Sequence, residues 1–70
     1  MDQKPSLGRV VLFRENDTAE ECAAIIVKVW SDTCVNIQTF PDKDVPAPQR
    51  FTSVVFEAKG GWSWRWPPRV

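Results

Sequence analysis

Ile25-Ile26-Val27-Lys28-Val29-Trp30, followed by Ser31-Asp32-Thr33 and then Cys34-Val35-Asn36-Ile37-Gln38-Thr39-Phe40, is the stretch whose reading decides the fold. Its first part could belong to a helix, because Asp17 with Glu20 three residues later resembles a capping box that would run on through Ala23 and Ala24. The run from Ile25 to Trp30 argues against that. It is mostly β-branched, and such side chains lose χ1 freedom in a helix but pack well on a pleated sheet. A strand from about Glu21 to Trp30 follows, with room for one helical turn at Asp17 to Glu20. The last part alternates with period 2, Val35, Ile37 and Thr39 on one face and Asn36 and Gln38 on the other.

Two adjacent strands keep like faces together only in one register, since a slip of one residue reverses every side chain. A two-residue loop would set Val27 against Asn36. The three-residue loop Ser31-Asp32-Thr33 sets Val29 against Val35 and Val27 against Ile37, which leaves Ile26, Lys28 and Trp30 beside Gln38, Asn36 and Cys34. That register is the expectation, with Asp32 taking the left-handed backbone position such a loop needs. It places Cys34 opposite Trp30 and Cys22 several residues away, so no intrachain disulfide is expected.

Outward from this hairpin, Leu7-Gly8-Arg9-Val10-Val11-Leu12-Phe13 reads as a strand ending at the turn Glu15-Asn16-Asp17. On the other side, Pro41-Asp42-Lys43-Asp44-Val45-Pro46-Ala47-Pro48 lacks ladder donors and reads as an extended, solvated loop. Phe51 to Glu57 resumes strand composition, and Lys59-Gly60-Gly61 supplies a hairpin-type turn. The final strand is Trp62-Ser63-Trp64-Arg65-Trp66, stopped by Pro67-Pro68. Five short strands without a long helix or an internal repeat predict one all-β domain over residues 1–70, a small five-stranded SH3-like barrel.

A chain of 70 residues buries only about 60% of its unfolded surface, and so small a scaffold usually needs a disulfide, a metal or a partner subunit. Two cysteines and no histidine make a Cys/His zinc site improbable, and Asp42 with Asp44 on a loop reads as soluble surface rather than a hard-cation site. The beginning of the chain lacks an apolar signal region, and no apolar run reaches a membrane span, so the cytosol with free thiols is expected. A homo-oligomer is the remaining support. Nine basic and nine acidic residues cancel, so the positive field of a general nucleic-acid coat protein is missing. The charge is uneven, however: Glu15, Asp17, Glu20 and Glu21 cluster, while Arg65 and Arg69 sit among C-terminal aromatics.

Catalysis is not expected. The commonest neutral-pH base is absent, and neither cysteine has an imidazole or a Cys-x-x-Cys partner to activate it. No cofactor motif occurs, since Gly60-Gly61 lacks the lysine and helix of a phosphate loop. Parity puts Trp62, Trp64 and Trp66 on one face of the last strand and Ser63 with Arg65 on the other. Trp64, in the middle, reads as core, whereas Trp62 and Trp66 stand either in the core or at a subunit interface or ligand shelf. Trp30 lies on a polar face with Lys28, Asn36 and Gln38. There it either stacks a nucleobase-like ring while the amides read its edge, or packs under the proline-rich loop or a second subunit.

The Gly8-Arg9-Val10-Val11 start, the Val29-Trp30-Ser31-Asp32-Thr33-Cys34-Val35-Asn36 hairpin, the Thr52-Ser53-Val54-Val55-Phe56 strand and the Trp64-Arg65-Trp66-Pro67 ending together resemble a family of small proteins encoded by tailed bacteriophages and prophages. The likeness covers most of the chain outside Glu15 to Glu21 and Pro41 to Arg50, and Trp62 is an addition to the family's usual tryptophan pair. It brings no settled activity. What the resemblance implies is a protein acting in the cytoplasm of an infected bacterium: a virion accessory, an inhibitor of a host protein, or an oligomeric sponge for the nucleotide signals of immunity. The residues favour the last. A cyclic-nucleotide or ADP-ribose-like ligand wants flat rings, amides and arginines, which makes Trp30, Asn36, Gln38, Arg65, Trp62 and Trp66 the candidate contacts. The alternative is a protein-interaction or virion-structural module in which the same tryptophans bury against a protein partner.

Overall fold

The computed structural model describes residues 4–42 and 47–68. Five strands, β1 (Val10–Arg14), β2 (Cys22–Val29), β3 (Cys34–Phe40), β4 (Arg50–Phe56) and β5 (Ser63–Arg65), close into a barrel in sequence order, with no helix among the described residues. The fold is the all-β, five-stranded SH3-like barrel that the strand pattern predicts. Expectations that fall on Lys43, Asp44, Val45, Pro46 and Arg69 lie outside the described residues.

Alternation on β3 is as read: Val35, Ile37 and Thr39 point inward and are buried. The hairpin register is right near the turn, where Val29 pairs with Val35 and Lys28 with Asn36. Beyond it the register shifts, because a bulge at Val27 brings Ile26 rather than Val27 opposite Ile37. From Val27 back to Ala24 the expected faces are therefore reversed: Ala24 and Ile26 enter the core, while Val27 is 42% exposed; Val29, in the expected register next to the turn, is 36% exposed.

The turn is also built differently. The Trp30 and Ser31 amides both donate to the Cys34 carbonyl, and Ser31 Oγ accepts from the Thr33 and Cys34 amides. A serine hydroxyl thus does the work expected of a left-handed Asp32, which is not among the residues of positive φ. Asp17 to Glu20 forms a turn, not a helical turn: Asn16 Oδ1 accepts from the Thr18 amide and hydroxyl. Both cysteines are free thiols.

A second bulge lies on β4, where Thr52 and Ser53 together oppose Asn36 of β3. It explains how Phe51 and Val54, three positions apart, both reach the core. Ser53 takes the strain, at φ 55°.

β5 does not follow β4 in a hairpin, as the Lys59-Gly60-Gly61 turn suggested. Glu57, at φ 50°, turns the chain so that β5 returns parallel to β4 and antiparallel to β1. Trp64, 1% exposed, then fills the centre, edge-on to Phe56 at 4.8 Å, with its indole N–H donating 3.0 Å to the Thr33 carbonyl. The same carbonyl accepts the Phe56 amide at 2.8 Å, which ties the β2–β3 turn to β4 and to β5's central ring.

Truncation reads out the shifted register. Ile26→Ala should cost about 2–5 kcal/mol, as a buried branched side chain does, and Val27→Ala less than about 1 kcal/mol. Chemical denaturation of the two variants checks this, and the unshifted register requires the reverse order.

Candidate functional site

Asn36 points outward from β3 yet is nearly buried, 9% exposed. Two neighbours account for this. Across the strand pair, the bulge leaves the Ser53 amide without a ladder partner, and it donates to Asn36 Oδ1 at 2.8 Å. From the hairpin, the Trp30 indole N–H donates to the same oxygen at 2.9 Å. Lys28, which pairs with Asn36, holds its ammonium 4.1 Å from the Trp30 ring centroid, within cation–π range. The indole is fixed along one edge and flanked by a cation, and it remains 57% exposed.

Gln38 follows two positions on and shares this outward face. It pairs with Arg50 at the start of β4, so Trp30, Lys28, Asn36, Gln38 and Arg50 form one cationic aromatic shelf. Three of the candidate contacts, Trp30, Asn36 and Gln38, are thereby brought together. Asn36 holds Trp30 and the bulge through its oxygen, and Gln38 is the amide that faces outward. The sequence reading missed Arg50. Strand parity opposite Gln38 was the available signal, and the adjoining prolines obscured where β4 begins.

The remaining candidates lie elsewhere. Trp62 is 46% exposed, with its ring edge-on to Phe51 at 4.8 Å. Trp66 is half-buried against Trp64 at 5.2 Å, and the Arg9 guanidinium lies 4.8 Å from its centroid. The two rings flank Trp64 and do not converge on the shelf. Arg65 faces outward beside Leu12 of β1, where its Nε and Nη2 grip the Glu21 carboxylate at 2.6 and 2.8 Å. This bidentate pairing holds the Glu21 carboxyl below its ordinary value, against a smaller opposing effect of burial, and raises Arg65 further.

A cavity of about 430 Å³ opens between the β1–β2 and β3–β4 loops. Phe13, Phe51 and Phe40 line it, with Glu15, Glu20, Glu21 and Asp42 as acids and Arg14 as the basic residue. Such a mouth disfavours a phosphate. Cys22 also lines it, and burial, with Glu15 adding, pushes its thiol up, which keeps it protonated and a poor nucleophile at neutral pH. Among the described residues no group of three or more His, Cys, Asp or Glu side chains could hold a metal ion, and no helix is long and apolar enough to cross a membrane.

Two variants test these contacts. Asn36→Ala strands the Ser53 and Trp30 donors and should lower stability by about 1–3 kcal/mol in denaturant titrations. Glu21→Gln should destabilise the protein at neutral pH. Because the folded-state pKa of Glu21 is depressed, the wild-type advantage is present above the ordinary glutamate value and is lost as pH falls through the folded one. Unfolding curves for the two proteins should therefore converge in acid.

Comparison of the chain with protein-family models, with curated proteins and with solved structures finds no match.

Proposed function

We propose that this protein is a non-enzymatic binding module that captures a nucleotide-type ligand on the outer face of β2, β3 and β4, with Trp30 as the stacking platform. One observation carries the reading: an indole 57% exposed to solvent is nevertheless locked in place by its N–H bond to Asn36. A surface ring normally gives up rotamer freedom on binding. Here that cost is met within the fold, so stacking starts from a preorganised surface. Lys28 and Arg50 on the same face supply positive charge for a phosphate, and Gln38 supplies an amide for a base edge.

Arg65, first among the sequence candidates for the phosphate, is committed to Glu21. Lys28 and Arg50 take its place. With the resemblance to phage proteins, this face suits the capture of a cyclic-nucleotide or ADP-ribose-like immune signal in an infected bacterium. A second reading, docking of another protein, is favoured by a different observation: Val10, Val27 and Phe40 are 52%, 42% and 49% exposed.

Calorimetric titration with a panel of cyclic dinucleotides and ADP-ribose derivatives tests the ligand class. At least one member should bind, and Trp30→Ala should weaken it by roughly 10- to 100-fold, the worth of one base–indole stack. Lys28→Ala and Arg50→Ala should each reduce affinity and its salt dependence. Heat-free titrations across the panel would overturn the proposal.

A further inference from the structure

Two rows of outward side chains cross the first three strands. Strand pairing sets Leu12, Ala23 and Phe40 side by side in one, and Val10, Ile25 and Gln38 in the next, with Arg50 at its end. All but Gln38 and Arg50 are apolar, and none belongs to the buried core. A period-2 strand with one solvated face normally places polar residues at these positions. Here β1 and β2 are apolar on both sides over residues 10–13 and 22–27, a pattern that belongs to strands covered on both faces.

The charges around this face are unevenly distributed. Glu15, Glu20, Glu21 and Asp42 lie beyond the Leu12–Ala23–Phe40 row, around the cavity between the loops, with Arg14 among them and Arg65, beside Leu12, paired to Glu21, so that this end is acidic on balance. Lys28 and Arg50 lie at or beyond the Val10–Ile25–Gln38 row. The face is therefore apolar in the middle, acidic at one end and basic at the other.

We propose that this face is a self-association surface whose partner is a second copy of the chain, related by a two-fold axis that runs across the strands. That axis lays the acidic end of each copy over the basic end of the other while the apolar rows meet. An axis along the strands would set acid on acid. Identical patches facing one another make the closed, isologous contact of most dimers. A standard interface takes about 800 Å² from each partner, roughly a sixth of the 4959 Å² that this chain exposes. Apolar patches of several hundred Å² are about the most that monomers carry.

This inference does not rest on nucleotide capture, but the two meet at Lys28 and Arg50. An anion on the shelf and the acidic end of a second copy compete for those cations.

Sedimentation equilibrium of the purified protein over a concentration series tests the surface. The wild type should dimerise. Phe40→Glu, at an exposed position, should weaken dimerisation at least tenfold while leaving the unfolding midpoint nearly unchanged. Arg50→Glu should weaken it too, and Arg50→Glu combined with Asp42→Arg should recover part of the loss. A wild type that stays monomeric, or a Phe40→Glu variant that assembles like the wild type, overturns the surface. Charge reversals without effect overturn the axis. Trp30→Ala should leave the dimer intact, so failure of ligand capture and failure of self-association remain distinguishable.

Discussion

A barrel of five strands closes only if its strands bend sharply, and each bend leaves a backbone donor out of the ladder. In this protein the β4 bend is completed by a side chain. Asn36 Oδ1 accepts the Ser53 amide that the bulge orphans, and it accepts the Trp30 indole from the other direction. A buried donor left unpaired costs about 1–3 kcal/mol, a large fraction of the stability of so small a domain. The bulge keeps Phe51 and Val54 in the core together, and the indole it shares an acceptor with becomes the shelf. Core packing and surface chemistry are joined at one oxygen.

Much of this was legible in the sequence, for local reasons. Val35, Ile37 and Thr39 alternate cleanly because one face of β3 lies against the core throughout, and Trp64 is central because parity and its flanking rings leave it nowhere else. The strand count and the closed barrel follow from β-branched runs cut by turn residues. The failures are tertiary. Nothing in Ile25-Ile26-Val27 announces a bulge, since all three side chains fit either face. Only closure decides that Ile26 goes in. The expected left-handed Asp32 is replaced by Ser31 Oγ, a solution composition does not reveal, and the glycine turn before β5 reads as a hairpin until the parallel pairing is seen.

The candidate site was half legible. Trp30, Asn36 and Gln38 share a face by parity and register, both local rules. Arg65 was singled out for lying among tryptophans, but its partner Glu21 is far away in sequence, and only the β1–β5 closure brings the two together. Charge in this molecule is sorted by the barrel rather than by the chain. A net charge of zero conceals an acidic mouth and a cationic shelf.

The shortest strand carries a consequence of its own. With three residues, β5 makes both closing seams, antiparallel to β1 and parallel to β4. Were it to detach, two rows of unpaired backbone groups would open at once, each a template for another chain's strand. The loss of Trp64 would uncover the core beside them. Protection against sheet-to-sheet aggregation therefore rests on Ser63, Trp64 and Arg65, and the Glu21 grip on Arg65, together with the Thr33 grip on the Trp64 indole, fastens the segment that keeps the sheet without an edge.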